Sequence, residues 1–406
     1  MDVCTRRPIA LVVPAVLVLF LPLGCRGRVA IDDDVRPIEA PAAPGSETPN
    51  LASGLDGGLY LSWVEPRDPW NTLRFATWQG SAWSAPRTVA VGEGWIVNWA
   101  DFASLAAGRD ALAAHWLVRS GEGYAYDVNV AASQDRGMTW GSPVRPHNDG
   151  TPTEHGFVTL VPRERGEFGI VWLDGRRMAD TPPGPMTLRY AVLRADGTLA
   201  EESVLDERVC DCCSTDAVRV AGGATLVVYR DRADAELRDI SVLRVEDGRG
   251  ASAPVSVHAD GWEMPACPVN GPAIAAQDER GAVAWFTGVG GEPRVLVAFT
   301  NDAGRTFEDP LRIDGGRPLG RVDVVMLDDG SALASWIEEL ASGAEIRVRR
   351  VRPGVADEPI VVARTSAGRS SGFPRLARLD DRVFLAWTEV GPPSRIRTAE
   401  IHQPMP

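Results

Sequence analysis

The sequence predicts an all-β fold, a β-propeller of four-stranded blades, with seven blades favoured and six as the alternative. A short apolar segment that ends in an aromatic residue recurs seven times, and successive copies lie 51 to 57 residues apart. That period is about the length of one four-stranded blade with its loops. The seven segments are LYLSW ending at Trp63, LAAHW at Trp116, GIVW at Trp172, LVVY at Tyr229, AVAW at Trp285, ALASW at Trp336 and VFLAW at Trp387.

Further short strands flank these cores. Apolar runs such as FVTLV and VDVVML precede the cores, and runs such as LRYAVL and RVLVAF follow them. A weaker fourth strand, as in EDPLRI and DEPIVVA, completes the unit. These runs are β-branched or alternating and are bounded by Gly, Asp and Pro, which favours strands over a helical repeat.

The seventh unit stops after its third strand, near Ile401. An unpaired edge of this kind is a pairing liability, and the segment DVRPIEAP, residues 34–41, has the composition of the missing strand. We therefore expect residues 34–41 to close the ring. The predicted organisation is a signal peptide at 1–24, a lipid-anchored tether at 25–45 that includes this strand, and one propeller domain at 46–402.

The first 25 residues predict export. Arg6 and Arg7 precede an apolar run of about 15 residues that ends in Leu-Pro-Leu-Gly-Cys, which is shorter than a membrane-spanning helix needs. This ending is similar to the bacterial lipoprotein box, which implies a lipid on Cys25 and a membrane as partner. We expect a location in the cell envelope, periplasmic or at the outer membrane or surface. A simply secreted protein is the alternative.

Composition narrows the function classes. The formal charge is -13 and all 42 basic residues are Arg. An acidic chain without a basic cluster in its folded part argues against nucleic acid as a partner. The absence of Lys excludes Schiff-base chemistry and a phosphate-loop Lys. We expect no cofactor, and we expect a monomer.

Two octapeptides follow the third strands of the second and fifth units. Both match the pattern S/T-x-D-x-G-x-T-aromatic, called the Asp box, in which the Asp accepts turn N–H groups and the Gly supplies positive φ. The residues that carry the pattern are Ser133, Asp135, Gly137, Thr139 and Trp140 in one, and Thr300, Asp302, Gly304, Thr306 and Phe307 in the other.

On these residues the chain resembles the Asp-box (BNR-repeat), sialidase-like β-propeller proteins of bacteria, and the resemblance covers nearly all of the mature sequence. It implies the propeller fold. Sialidases proper use a late Tyr as nucleophile beside a Glu, but no Tyr follows Tyr229 in this chain. The resemblance therefore implies the fold of these proteins but not the catalytic mechanism of classical sialidases.

Polar residues gather in the loops expected at one face of the ring. A carboxylate stands two residues after the core aromatic in five of the seven units, and Arg residues fall in the same loops. Carboxylates beside Arg suit glycoside chemistry or carboxylate recognition, whereas salt bridges between blades are the structural alternative. The candidates are Arg230, Asp231, Arg232, Glu236, Arg238, His155, Asp174, Arg321, Glu338 and Arg369.

Four cysteines remain after Cys4 and Cys25 are set aside: Cys210, Cys212, Cys213 and Cys267. In an oxidising compartment an even number suggests disulfides. Cys213 and Cys267 lie 54 residues apart, about one blade, so we expect Cys267 to be bonded to Cys212 or Cys213. Metal binding by four thiolates is the alternative.

These observations favour a recognition propeller that binds a glycan or a protein partner on its charged rim. A glycan-acting hydrolase or lyase that uses rim carboxylates is one alternative. An assembly or metal-handling scaffold is another, because the fold alone does not determine function.

Overall fold

The computed structural model describes residues 34–402. They form seven antiparallel sheets that follow one another along the chain as a seven-bladed β-propeller. The predicted fold and the count of seven blades are confirmed, and the six-bladed alternative is wrong.

The strands are numbered in chain order. Strand β1 (Val35–Ile38) belongs to the last blade. Blade 1 comprises β2 (Glu47–Ser53), β3 (Leu59–Arg67), β4 (Trp70–Thr77) and β5 (Arg87–Glu93). Blade 2 comprises β6 (Trp95–Ile96), β7 (Ser104–Ala107), β8 (Leu112–Arg119) and β9 (Tyr126–Ser133). Blade 3 comprises β10 (His155–Pro162), β11 (Phe168–Asp174), β12 (Thr187–Leu193) and β13 (Leu199–Asp206).

The remaining blades follow the same order. Blade 4 comprises β14 (Asp216–Arg219), β15 (Thr225–Arg230), β16 (Ile240–Glu246), β17 (Gly250–Ala251) and β18 (Val255–His258). Blade 5 comprises β19 (Ala273–Gln277), β20 (Arg280–Thr287), β21 (Arg294–Thr300) and β22 (Leu311–Arg312). Blade 6 comprises β23 (Pro318–Met326), β24 (Ala332–Glu339), β25 (Ala344–Arg352), β26 (Val355–Ala356) and β27 (Ile360–Thr365). Blade 7 comprises β28 (Arg375–Leu379), β29 (Arg382–Glu389), β30 (Arg395–Ile401) and β1.

Blade 2 departs from the regular pattern. Its first strand is divided into β6 and β7, which both pair with β8. Residues 97–103 lie between them, and they carry Trp99 and Asp101. The outer edge of this blade is a single bridge between Val130 and Val144.

Strand β1 closes the ring. It pairs antiparallel with β30, with Val35 opposite Ile401 and Ile38 opposite Thr398. The predicted closure by residues 34–41 is confirmed, and the strand itself is four residues long. Arg36 reinforces the pairing from the surface through Glu400, at 3.7 Å.

The hydrophobic core lies between blades. It divides into seven clusters, each built mainly from residues of two adjacent blades. The cluster between blades 3 and 4 also takes in Ala100 and Phe373. The core aromatics Trp63, Trp172, Trp285 and Trp336 are completely buried. Val35 of β1 belongs to the cluster between blades 6 and 7, so the closing strand contributes side-chain packing as well as backbone pairing.

Helical structure in residues 34–402 is limited to five single-turn 3₁₀ segments: Glu164–Gly166, Arg176–Ala179, Asp234–Glu236, Val289–Gly291 and Arg369–Ser371. Within this range no helix has the length and apolar character needed to cross a bilayer. The predicted signal peptide and Cys25 lie outside the described residues.

A chain shortened to begin at Gly45 should melt at a lower temperature than one that begins at Asp34. Removing β1 leaves β30 unpaired and exposes the pocket filled by Val35, whose burial is worth about 1.5–3 kcal/mol. In a domain of this size that corresponds to a loss on the order of 5 °C. Differential scanning calorimetry and light scattering measure the melting and the expected association through the open edge. Equal melting of two monomeric chains would contradict ring closure.

Candidate functional site

The innermost strands enclose a cavity of about 190 Å³. Residues of β2, β7, β10 and β14 line it, together with Arg375 at the start of β28. Two carboxyl groups, of Asp101 and Asp216, reach the cavity wall. The centre of the ring is therefore polar, although the strands around it pack through apolar side chains.

Three carboxylates, two of them buried and that of Asp216 half-buried, join the innermost segments of neighbouring blades. Each accepts a backbone N–H from the first strand of the following blade, at 2.8 to 2.9 Å. The pairs are Asp101 with Phe157, Asp216 with Ile274, and Asp323 with Leu376. Burial raises the pKa of Asp101 to about 7 and the pKa of Asp216 to about 6, with Arg375 opposing the second shift.

Asp101 is also part of a proton-sharing triad with Tyr126 and Glu154. The Tyr126 hydroxyl lies 2.7 Å from Asp101 Oδ2 and 2.8 Å from Glu154 Oε1. Burial raises the pKa of Glu154 to about 7, and the charges of Asp101 and Asp211 add to the shift. A phenol donates one proton, so hydrogen bonds to both carboxyl groups require that one of them be protonated. The triad thus holds an exchangeable proton near neutral pH.

An aromatic ring and two guanidinium groups form a second arrangement on the same segment. Arg321 and Arg369 lie over the Trp99 ring, at 4.8 and 5.8 Å from its centroid. Phe373 stacks on Trp99 at 5.8 Å. We call the group Trp99, Arg321 and Arg369 the arginine mouth. Trp99, at its centre, is two residues from Asp101 in the chain.

Neither arginine of the mouth has an acidic partner within residues 34–402. Arg321 is 6% exposed and donates instead to Gly368 O and Ser371 Oγ, at 2.9 and 2.5 Å. Burial and the neighbouring Arg369 charge lower the pKa of Arg321 to about 10. Arg369 is exposed. Two uncompensated positive charges therefore lie side by side in a protein whose formal charge is -13.

A cavity of about 220 Å³ opens beside the mouth. Trp99, Phe102 and Phe373 supply its aromatic wall, and Glu47 and Thr388 are polar residues on the lining. Burial raises the pKa of Glu47. The cavity thus combines aromatic surface with polar groups and lies next to a cationic pair, as binding sites for polar small molecules commonly do.

The predicted cluster from Arg230 to Arg238 is assembled by one loop, but its groups bind each other. Arg230 is 1% exposed and donates to the carbonyls of Asn270, Arg238 and Phe286. These contacts fix the loop between blades 4 and 5.

The acidic members of that cluster are likewise engaged. Arg232 binds Glu236 at 2.9 Å and Asp211 at 3.0 Å, and Arg238 binds Glu236 at 2.8 Å. The Arg232 hydrogen bonds, with help from other Arg charges, lower the pKa of Glu236. Asp231 accepts from Ser241 Oγ at 3.3 Å, and burial raises its pKa. This sector is a saturated network.

His155 and Asp174 lie together on adjacent strands of blade 3. His155 is fully buried, with its Nε2 atom 3.2 Å from Asp149 Oδ2 and 3.8 Å from Asp174 Oδ1. Its ring stacks on His147 at 3.9 Å. Arg176 donates to Asp174 at 2.7 Å, so a guanidinium group and two carboxylates surround this buried histidine.

The carboxylates that follow the core aromatics have a common structural use. Glu65, Asp174 and Glu338 accept the indole N–H of the Trp two residues before them, at 3.2, 2.8 and 2.7 Å. Glu338 also accepts the backbone N–H groups of Gly315 and Arg317. The repeated carboxylate thus satisfies a buried donor within its own blade.

The two octapeptides predicted as Asp boxes have matching hydrogen bonds. Asp135 accepts from the backbone N–H and hydroxyl of Thr139 at 2.8 and 2.6 Å, and Asp302 accepts the same groups of Thr306 at 2.9 and 2.6 Å. The hydroxyls of Ser133 and Thr300 accept from the glycines four residues later, Gly137 and Gly304, which have positive φ. Trp140 lies edge-on to Phe75, and Phe307 packs against the cluster between blades 4 and 5.

The predicted disulfide between Cys267 and Cys212 or Cys213 is wrong, because all four cysteines are free. Cys267 is exposed, whereas Cys213 is buried and its sulfur receives the backbone N–H of Asn270, three residues beyond Cys267. Cys210, Cys212 and Cys213 instead cluster with one another. Burial opposes ionisation of Cys213, yet hydrogen bonds from the other two thiols and the Arg230 charge hold its pKa well below the usual value.

The sequence predictions missed Trp99, Asp101, Tyr126 and Glu154. Asp101 lies in the interruption of blade 2, which has no counterpart in the other units, and Tyr126 reads as one more apolar strand residue. One repeated signal does exist, since Asp216 and Asp323 both stand 13 residues before their core aromatic. A carboxylate at this position of the repeat therefore indicates a residue on an innermost strand, next to the centre of the ring.

Comparisons with solved structures show the fold. The polysaccharide lyase Uly1 superposes with a TM-score of 0.53 at 10% identity, over 86% of this chain and 88% of the lyase. A protein of unknown function from Dyadobacter fermentans DSM 18053 gives 0.50 at 15% identity, over 90% and 97%. The Hadza microbial sialidase Hz136 gives 0.48 at 14% identity over 88% of this chain, which spans 66% of that sialidase, just under two thirds.

No protein-family model matches the sequence. No curated protein matches it either.

Asp101→Asn should change how stability depends on pH. The pKa of Asp101 is raised to about 7 in the folded chain from 3.8, so its stabilising contribution is complete below about pH 3.8 and is lost as the pH rises through 7. The neutral Asn variant lacks that loss. Between pH 4 and pH 8 the free energy of unfolding of the variant should therefore rise by up to about 4 kcal/mol relative to that of the unmodified protein. The melting temperatures of the two proteins at both pH values measure this change.

Asp135→Asn is the control for this measurement. Hydrogen bonds from Thr139 lower the pKa of Asp135 to about 2, so it stays ionised throughout the range. Its effect on melting should be the same at both pH values. An Asp101→Asn difference that is equally constant would contradict the raised pKa.

Proposed function

We propose that this chain is an extracytoplasmic propeller, attached to the cell envelope through Cys25, that binds an acidic glycan at the arginine mouth. The observation that carries the proposal is the pair of guanidinium groups without an acidic partner over the Trp99 ring. Arg guanidinium groups bind carboxylates through two parallel hydrogen bonds. An aromatic face offers the apolar surface on which a sugar ring packs.

The electrostatics of the mouth favour an anion. A buried charge without a counter-ion is costly, and Arg321 is such a charge within the described residues. A carboxylate that binds between Arg321 and Arg369 would remove both the unpaired charge and the repulsion between the two arginines. The adjacent cavity of about 220 Å³ has room for part of a sugar residue.

The fold is compatible with this function. A polysaccharide lyase is among the solved propellers that superpose on the chain, so the architecture supports glycan binding in at least one other protein. The similarity concerns the fold alone and assigns no functional role to any residue of this chain.

A second candidate function, glycoside hydrolysis, is favoured by the Asp101–Tyr126–Glu154 triad. Both carboxyl groups lie within 2.8 Å of one phenol oxygen, which is compatible with the carboxyl separation of about 5 Å in retaining glycosidases. A carboxyl group that is still protonated near pH 7 can act as general acid toward a leaving oxygen. Asp101 reaches the central cavity, so it is the member placed to donate.

Arg369→Ala should weaken binding of uronate- or sialate-containing oligosaccharides by roughly 10- to 100-fold, because one charge-assisted hydrogen-bond pair is lost. Isothermal titration calorimetry, after a glycan array has selected the oligosaccharide, measures the change. Arg109→Ala is the matched control, since Arg109 is an exposed arginine in the β7–β8 turn. Equal losses in the two variants, or equal binding of neutral glycans, would contradict an acidic-glycan site.

Asp101→Asn should abolish any cleavage of the bound glycan, with a rate decrease of about 100-fold or more, while binding is retained. Cleavage by the unmodified protein should fall as the pH rises through about 7, because the acid form of the triad is lost. Reducing-end release is the assay, and Asp110→Asn, at an exposed carboxylate, is the control. An unmodified protein that binds the glycan without cleaving it rules out the hydrolase and leaves the binding proposal standing.

A further inference from the structure

Three cysteines converge where the chain enters blade 4. Their sulfur atoms, in Cys210, Cys212 and Cys213, all lie within 4.8 Å of one another. Cys210 and Cys213 are buried and Cys212 is half-buried. The arrangement is a compact group of soft ligands shielded from water, and it takes no part in the arginine mouth or in the triad.

The backbone holds this segment in place. Val209 N–H donates to Met186 O and Cys210 N–H donates to Arg230 O, both at 3.0 Å. A β-bridge joins Val209 to Asp231. Because the segment is fixed on both sides, the three sulfur atoms are brought together by the fold itself.

A buried positive charge faces the thiols. The Arg230 guanidinium is 1% exposed, donates only to backbone carbonyls, and forms no ion pair within residues 34–402. The Arg230 carbonyl accepts the Cys210 backbone N–H, so this residue and the cysteine cluster belong to paired segments. The guanidinium lies over the Trp262 ring at 5.0 Å from its centroid, but a ring face carries no net charge, and a buried charge without a compensating anion is costly.

We propose that Cys210, Cys212 and Cys213 form a three-thiolate site for zinc. Zinc binds thiolate sulfur at about 2.3 Å, so three of its sulfur ligands lie about 3.8 Å apart, which small side-chain rotations reach from the observed cluster. Binding converts each remaining thiol to a thiolate and releases its proton. One divalent ion with three thiolates carries a net charge of -1, which the Arg230 guanidinium balances.

The fourth coordination position is open to water or to a small ligand. Asp211, between the cysteines, is turned toward Arg232 at 3.0 Å, and Cys267 is exposed and free. Structural zinc sites use four protein ligands, whereas sites with three leave one position for an exchangeable group. The charge balance favours zinc over cuprous copper, whose three-thiolate complex would keep an additional negative charge.

The test uses the full chain, purified under reducing conditions, stripped of metal and then titrated with Zn²⁺. Mass spectrometry of metal content should show about one zinc per chain, a stoichiometry typical of one such site. Cd²⁺ used as a probe should produce the ultraviolet thiolate-to-metal absorption expected for three Cd–S bonds. Zn²⁺ should also raise the melting temperature, because binding to the folded state stabilises it.

Single substitutions locate the site. Cys210→Ser, Cys212→Ser and Cys213→Ser should each lower zinc content to on the order of a tenth, whereas Cys267→Ser should leave it unchanged. Cys212 is the least buried ligand, so its variant tests binding with the smallest effect on packing. The Cd²⁺ spectrum of the unmodified chain does not depend on any variant folding.

Three results would overturn the proposal. They are the absence of zinc and of the Cd²⁺ band in the reduced chain, an equal loss of zinc in Cys267→Ser, and a Cys210–Cys213 disulfide that persists under mild reduction and blocks metal binding. Tighter binding of Cu⁺ than of Zn²⁺ in competition at matched free concentrations would overturn the assignment of zinc.

Discussion

The pairing of β1 with β30 is the constraint on which the rest of this structure depends. Four residues from the start of the described chain complete the last blade as its outer strand, and this pairing joins the two ends of the described chain in one sheet. The arginine mouth draws its residues from both sides of this junction. Trp99 comes from blade 2, Arg321 from blade 6, and Arg369 precedes blade 7, so the group forms across the point where the ring is joined.

The architecture could be predicted from the sequence because the core residues themselves repeat. Each unit places an aromatic residue at the end of an apolar segment, and the spacing sets the number of blades. The cysteine pairing failed for a related reason. Counting back from Tyr229 and Trp285 puts Cys213 and Cys267 at 16 and 18 residues, but loops between strands do not preserve register, and Cys213 meets Asn270 instead.

The site could not be derived in the same way, because charge density in the sequence does not show which charges are already paired. Arg230, Glu236 and Glu338 stand out along the chain, yet each is fully engaged with neighbouring donors or acceptors. Arg321 and Arg369 are distinguished by lying side by side over one aromatic ring without an acidic partner among the described residues, and Tyr126 by two acceptors for one proton. Such features depend on contacts between residues from different blades, and no local motif encodes them.

The placement of the hydrophobic core between blades has a consequence for how the molecule comes apart. Each cluster is shared by at least two adjacent blades, so no blade can detach without opening a cluster on either side of it. Repeat proteins with free ends can fray from those ends, but a closed ring has none. The lifetime of the folded chain is then set by the rate of a single large opening event, and a slow opening event protects a protein from proteases.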